Sequence, residues 1–523
     1  MIIVSPQKAA ATFHAGGEVA FLDVREAGQF GEAHPLFAIP LPYSVLEDRV
    51  RRMVPRRNVP VLILDAGDGV AERAAHGLAV LGYTDLRVIA GGMAGWEAAG
   101  LGVYKGVNVP SKALGEMAEA IWHPTMISAQ ELADWTETAQ RFRFFDARPP
   151  SEYQKMRVPG SVCLPNGELA HRAASFNGVE EAPLVITCAG RTRGIVGAIG
   201  MRIAGYGGKV LALENGTQGW ALAGETLERG ATAAPFPKLD NKAAESSRQS
   251  ADRIISQFEL PEITIEQAAA ILEDADRTSY LFDTRSALEA AEDSVPGAVH
   301  APSGQITQAT DQWIATFRSR VILCCDTGLR SALAAFWLKQ LGYEVFVLRL
   351  DGDRSVLPDI AQQSAPPPVQ VCSAAEALQA MLDGAALLDL RLSMAFRDNH
   401  VADAIWISRP KLVAAAQELG ARPVLLLAED MTQAAWTAQD LREAGCDQVV
   451  LIAGGLDGLA AAGALLVSTM DHPPDNECID HLFFVHDRHD GNLDASRRYL
   501  EWETGLVAQL SDTERGEYHL LSP

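Results

Sequence analysis

Leu184-Val185-Ile186-Thr187-Cys188-Ala189-Gly190-Arg191-Thr192-Arg193 opens on a continuous apolar run, passes a cysteine and a small loop, and enters a helical pattern over residues 195–204. Four β-favouring residues without polar alternation read as a strand buried on both faces, as in a parallel sheet. The same order returns at residues 321–324 with the loop Cys325-Asp326-Thr327-Gly328-Leu329-Arg330, and without a thiol at residues 59–64 and 424–427. Upstream of each loop a second apolar strand ends in Asp-x-Arg: Asp23-Val24-Arg25, Asp146-Ala147-Arg148, Asp283-Thr284-Arg285 and Asp389-Leu390-Arg391. Forty-two positions after the first three aspartates stand Asp65, Cys188 and Cys325, and in the fourth copy the loop falls near Ala428. A unit of about a hundred residues is too long for a solenoid repeat and fits a small domain with its own core.

Working outward, each unit begins with a strand and a capped helix. Ser128 with Glu131 forms a capping-box pattern, and Thr264 and Ser373 open the equivalent segments. Beyond each loop helix lies a Gly-containing turn and another apolar strand, as at Gly205-Tyr206-Gly207-Gly208 before residues 210–213 and at Leu341-Gly342-Tyr343 before residues 345–348. The expected fold class is therefore α/β: four tandem units, each a small doubly wound parallel sheet with helices on both faces, plus a C-terminal extension. The expected divisions are residues 1–110, 120–230, 261–360 and 366–468, with a linker at 231–260 that has the composition of an ordered strap, and an extension at 469–523. This order places Cys188 and Cys325 between the carboxyl end of a strand and the amino end of a helix, where ligands bind in such sheets.

Composition narrows the function classes. The chain has 523 residues, 48% hydrophobic and 21% charged, with net charge −23. That charge would be repelled by nucleic acid and by anionic membranes over most of the surface. Seven cysteines without a Cys-x-x-Cys pair spell neither a disulfide framework nor a zinc site, and suit a reducing cytoplasm. No signal-peptide pattern opens the chain, and no apolar run reaches the roughly 18 residues that span a bilayer.

In both thiol loops four residues separate the cysteine from an arginine, Arg193 or Arg330. A loop of this length closing onto a helix points several backbone N–H groups inward, and this nest favours a thiolate or an oxyanion. The amides of Ala189, Gly190 and Thr192 and the guanidinium groups of Arg191 and Arg193 are the expected binding groups around Cys188; Gly328 and Arg330 are those around Cys325. Arg148 and Arg285 stand where they reach toward the loops, although Arg25 and Arg391 occupy the same place in copies without a thiol, which favours a bracing role. Cys163, Cys324, Cys372 and Cys446 sit in apolar stretches and read as core. In the tail, Cys478, His481, His486 and His489 match no standard ligand spacing; Phe483, Phe484 and Val485 read as a docking strand, and residues 499–510 as a helix packed on a domain or a second chain.

These Asp-x-Arg strands, the Pro159-Gly160 and Pro296-Gly297 segments, the six-residue loops, and the turns Gly92-Met93-Ala94-Gly95-Trp96 and Gly216-Thr217-Gln218-Gly219-Trp220 together resemble the rhodanese superfamily of sulfurtransferases, in its bacterial form of four tandem domains. The resemblance implies that a cysteine thiolate takes sulfane sulfur from a donor such as thiosulfate, releases sulfite, and passes the sulfur from a persulfide to cyanide or a thiol acceptor. It implies Cys188 as the first catalytic candidate and Cys325 as the second, since Asp326 and the altered turn Leu350-Asp351-Gly352-Asp353-Arg354 depart from the pattern. It implies small anionic donors with thiophilic acceptors as partners; the sequence itself carries no metal, flavin or nucleotide signal, its charge argues against a nucleic acid or membrane partner, and the tail helix leaves room for a homodimer. Asp65 and the segment Ala428-Glu429-Asp430 mark the first and fourth units as expected to be inactive. A related phosphatase or arsenate reductase would place five residues between Cys and Arg; a non-catalytic scaffold or sulfur relay is the rival of a different class.

Overall fold

The computed structural model describes residues 1–175, 182–359, 364–486 and 491–523. In the second unit five parallel strands run in the order Thr125–Ile127, Val210–Leu213, Leu184–Thr187, Arg143–Asp146, Val162–Cys163. The strand that ends before Cys188 lies at the centre of the sheet. All four of its residues are buried, which is why it carries no polar alternation. The other three units repeat this strand order, so the α/β reading holds for each.

Local chemistry sets the element boundaries. The Ser128 hydroxyl accepts from the Glu131 N–H while the Glu131 carboxylate accepts from the Ser128 N–H, and the helix Ala129–Glu137 follows. Ser373 and Thr264 cap the helices Ala374–Leu382 and Ile265–Glu273 in the same way. In the linker, Asp240 accepts from the Ala243 N–H and starts the helix Asn241–Gln257. That helix buries Ala243, Ser247, Ala251 and Ile254, one stripe at helical spacing, against the helix Leu329–Gln340 of the third unit.

The units do not hang as beads. Thr316–Phe317 of the third unit adds an antiparallel edge strand to Val19–Asp23 of the first, pairing Thr316 with Ala20. One apolar core runs through the first three units and takes in Leu506, Leu510 and Tyr518 of the tail. The fourth keeps its own cores. It docks on the first through buried Arg409, whose guanidinium reaches Glu47 at 2.6 Å and Asp440 at 2.8 Å and lies over the Tyr43 ring.

The tail straps these pieces together. Its helix Leu493–Thr504 packs near the second unit, and the Leu521 carbonyl accepts from the Trp122 indole at 2.9 Å. Phe483–His486 is a helical turn rather than the expected strand, because three apolar residues in a row fit either conformation. Cys478 directs its thiol at the Pro474 carbonyl, 3.4 Å away; residues 487–490, with His489, lie outside the described residues. Cys163, Cys324 and Cys446 are buried as expected, whereas Cys372 is only half-buried beside the core. Among the described residues no helix is long and apolar enough to cross a membrane.

Candidate active site

The four Asp-x-Arg segments share one geometry. Each arginine grips its own aspartate and the carbonyl eight residues on: Arg25 with Ala33, Arg148 with Met156, Arg285 with Asp293 and Arg391 with Asn399, at 2.5 to 2.7 Å. Arg148 is 1% exposed and its Nη2 lies 2.6 Å from Asp146. The bracket is the same with or without a thiol nearby, so it fixes the strand end; Arg148 lines the wall of the Cys188 cleft with its charge already paired. Arg285, held by Asp283 and Asp293, fixes the corresponding strand end in the third unit.

Cys188 follows its strand directly and the helix Thr192–Ile203 begins four residues later. The Gly216–Leu222 helix backs the loop: the Thr217 N–H donates to the Cys188 carbonyl at 2.8 Å and the Gln218 N–H to the Ala189 carbonyl at 3.2 Å. Gly216 has φ +53°, and a Cβ there would stand 2.2 Å from the Cys188 carbonyl oxygen, so the turn admits only glycine. This is the physical content of the Gly-x-x-x-Trp motif.

The N–H groups of Gly190 and Gly194 face the Cys188 sulfur. In the first unit the equivalent amides are those of Gly67 and Ala71, and the Asp65 carboxylate accepts from both, at 2.8 and 3.0 Å. The nest thus holds an anion where the chain supplies one. In the fourth unit Asp430 caps the helix Met431–Glu443 through the N–H groups of Thr432 and Gln433.

The loop arginines of Cys188 are engaged. Arg193 is paired with Glu152 at 2.6 and 2.8 Å, and Arg191 turns outward to Glu116 at 2.8 Å and to Glu119. The expectation of a thiol drawn toward the thiolate is therefore corrected for the resting loop. Burial pushes the Cys188 thiol up, and the Glu503 carboxylate adds to this; Arg193 and the Gly194 and Gly190 amides pull it down by less. Consistent with a protonated sulfur, the Sγ lies 3.3 Å from the Gly190 carbonyl as a donor. A raised pKa leaves the thiol form dominant at neutral pH, so the rate of Cys188 alkylation by iodoacetamide, read by peptide mass, is expected to climb still above about pH 8.5. A rate already flat at neutral pH would contradict this.

Around the loop opens a cleft of about 310 Å³ whose walls come from distant segments: Asn108 and Lys112 from the junction of the first and second units, Gln305, Gln308 and Gln312 from the third, and Tyr499 and Glu503 from the tail. Sequence reading missed these residues, because nothing local marks which remote helix a loop will face.

Cys325 sits differently. It is the last residue of the strand Arg320–Cys325 and is 0% exposed. Arg330, also 0% exposed, reaches Glu168 of the second unit at 2.7 Å, Glu289 at 2.5 Å and Asp326 at 2.7 Å. Thr327 bonds Ser247 of the linker helix at 2.9 Å, and a Cβ on Gly328 would meet Arg349 at 2.8 Å. The linker helix and the second unit therefore lie against this loop, and Arg330 is engaged across an interface. Beside it His171, Glu289 and Asp326 bring three ligand-type atoms within 4.8 Å of one another. The Arg330 guanidinium already pairs with both carboxylates, and burial with that same cation pulls His171 down to about 3, so the cluster is an ion-pair network.

A model of the rhodanese-like domain matches residues 5–99, 128–223, 264–354 and 373–462. The chain belongs to the rhodanese family. A crystal structure of a thiosulfate sulfurtransferase from Pseudomonas aeruginosa superposes on 100% of this rhodanese chain and 100% of its own, with TM-score 0.89 and 32% identity. The rhodanese-like domain of the Alr3790 protein from Anabaena sp. is 26% identical over 18% of this chain and 97% of its own, with TM-score 0.16. A transcriptional regulator of the HTH type from Mycobacterium tuberculosis, Rv0324, is 31% identical over 119 residues, which is 23% of this chain and 48% of the regulator. The chain thus spans about half the length of that curated relative.

Proposed function

We propose that this rhodanese moves sulfane sulfur from thiosulfate, or a related anionic donor, to cyanide or a thiol acceptor, with Cys188 as the nucleophile. The observation that carries the reading is the nest itself. Its two amides face the Cys188 sulfur, and in the first unit the same pair holds a carboxylate. The likeness to the Pseudomonas aeruginosa thiosulfate sulfurtransferase supports the choice of donor.

In the first half-reaction the Cys188 thiol ionises and its sulfur attacks the outer sulfur of thiosulfate. A new S–S bond forms, the old one breaks, and sulfite leaves with the electron pair. The persulfide then offers its outer sulfur to the amides of Gly190 and Gly194. In the second half-reaction the acceptor attacks that sulfur and Cys188 leaves as the thiolate. Ala189, Gly190, Thr192 and Arg193 border the reacting sulfur; Arg191 is turned toward Glu116, which makes it a brace between the loop and the helix Val109–Trp122. Four residues between Cys and Arg, against five in the related phosphatases, argue against phosphoryl transfer. Seven free cysteines and a net charge of −23 fit a reducing cytoplasm and small-molecule partners.

The test is steady-state turnover of purified protein with thiosulfate and cyanide. Parallel double-reciprocal lines and many turnovers per chain are expected. A single turnover at most, with no thiocyanate accumulating, would leave the scaffold reading, which two units without a loop thiol and a covered third loop otherwise favour.

A further inference from the structure

Glu503 is 2% exposed, yet it belongs to the tail helix Leu493–Thr504 and not to any rhodanese unit. One carboxylate oxygen accepts from the Thr192 hydroxyl at 2.9 Å, which fixes the side chain at the mouth of the Cys188 loop. The other oxygen is buried without a hydrogen-bond partner, and a Cβ on Gly190 would stand 2.8 Å from it. Among the described residues no cation pairs with Glu503. The nearby Lys112 ammonium donates to the Val107 carbonyl and lies over the Tyr499 and Trp502 rings. A buried carboxylate oxygen without a donor is costly, and it is unfavourable beside a nest meant for anions. Its cost is offset when a ligand brings the missing N–H.

The cleft is also far larger than thiosulfate or cyanide requires, at about 310 Å³. On another wall Gln308 has its amide oxygen buried without a partner. Lys155, exposed at the rim, has no ion-pair partner among the described residues. A carboxylate inside and an ammonium at the rim complement a zwitterion that carries a thiol.

Building on the proposed sulfur transfer, we propose that Glu503 is a specificity-determining residue that accepts a hydrogen bond from the ammonium group of an aminothiol acceptor. The acceptor's thiol loses its proton to solvent, and its sulfur attacks the outer sulfur of the Cys188 persulfide. The acceptor S–S bond forms as the Cys188 S–S bond breaks, and the electron pair returns to Cys188. The acceptor departs as its persulfide, with no external oxidant or reductant.

The experiment loads full-length protein with thiosulfate, confirms the added sulfur on Cys188 by mass, and follows discharge by L-cysteine and by N-acetyl-L-cysteine, which lacks the ammonium. Rates are corrected for thiolate fraction. Wild type is expected to prefer cysteine by about tenfold or more, and Glu503→Gln, which keeps an acceptor for Thr192, to lose that preference. Equal corrected rates in wild type would overturn the inference without recourse to a variant. So would an unchanged cysteine preference in Glu503→Gln, even if both rates fell, since a structural lesion slows both thiols alike. Absence of sulfur on Cys188 would instead overturn the sulfur-transfer reading, and this inference with it.

Discussion

Cys188→Ser is expected to lower thiosulfate-to-cyanide turnover on the order of a thousandfold or more, while Cys325→Ser leaves it within about twofold. A hydroxyl is a poor sulfur nucleophile and cannot form the persulfide, so the loss at Cys188 falls on the chemical step and appears in kcat. The asymmetry rests on what surrounds each thiol. Cys188 lines a cleft, whereas the Cys325 loop is held under the linker helix by Thr327 with Ser247 and under the second unit by Arg330 with Glu168. Both thiols are almost fully buried, so exposure alone does not separate them. A large loss in Cys325→Ser with Cys188→Ser nearly unaffected would reverse the assignment.

Arg330→Ala is expected to destabilise the protein by about 3–5 kcal/mol, read as a lower denaturant midpoint. The guanidinium joins three carboxylates from two units, and its removal leaves Glu168 and Glu289 to share Arg172 alone. The effect is pH-dependent in a defined direction. Burial pushes the Glu289 carboxyl up, but Arg330, its bonds to Arg330 and Ser286, and Arg172 together outweigh this and hold it below its ordinary value of 4.5. A carboxyl depressed in the folded state contributes stability above that value and loses it as pH falls through the folded pKa. The gap between wild type and variant is therefore widest near neutral pH and narrows progressively below pH 4.5. A gap that widened on acidification would contradict the network.

The strands Leu184–Thr187, Val210–Leu213 and Val424–Leu427 were legible to the residue, because continuous apolar runs have one comfortable place in a parallel sheet covered on both faces. The run at residues 59–64 shortens to Val61–Leu64, since Pro60 has no N–H to give the ladder. The nest at Cys188 was legible from spacing, as was its loss of a thiol at Asp65. What could not be read was partnership across distance. Glu152, Glu116 and Glu119 take the charges of Arg193 and Arg191, so the loop favours an anion less than its two arginines promise. Likewise, Asp326 reads as a local blemish in the loop, but it is one corner of an ion-pair network whose other carboxylates lie 37 and 158 positions away, at Glu289 and Glu168.

The most direct test of Cys188 as the sulfur carrier is peptide mapping by mass after brief exposure of wild type, Cys188→Ser and Cys325→Ser to thiosulfate. The expected result is one added sulfur atom on the Cys188 peptide, present in wild type and Cys325→Ser and absent only in Cys188→Ser. Sulfur on the Cys325 peptide alone, or on neither with thiosulfate and then with mercaptopyruvate as donor, would contradict it.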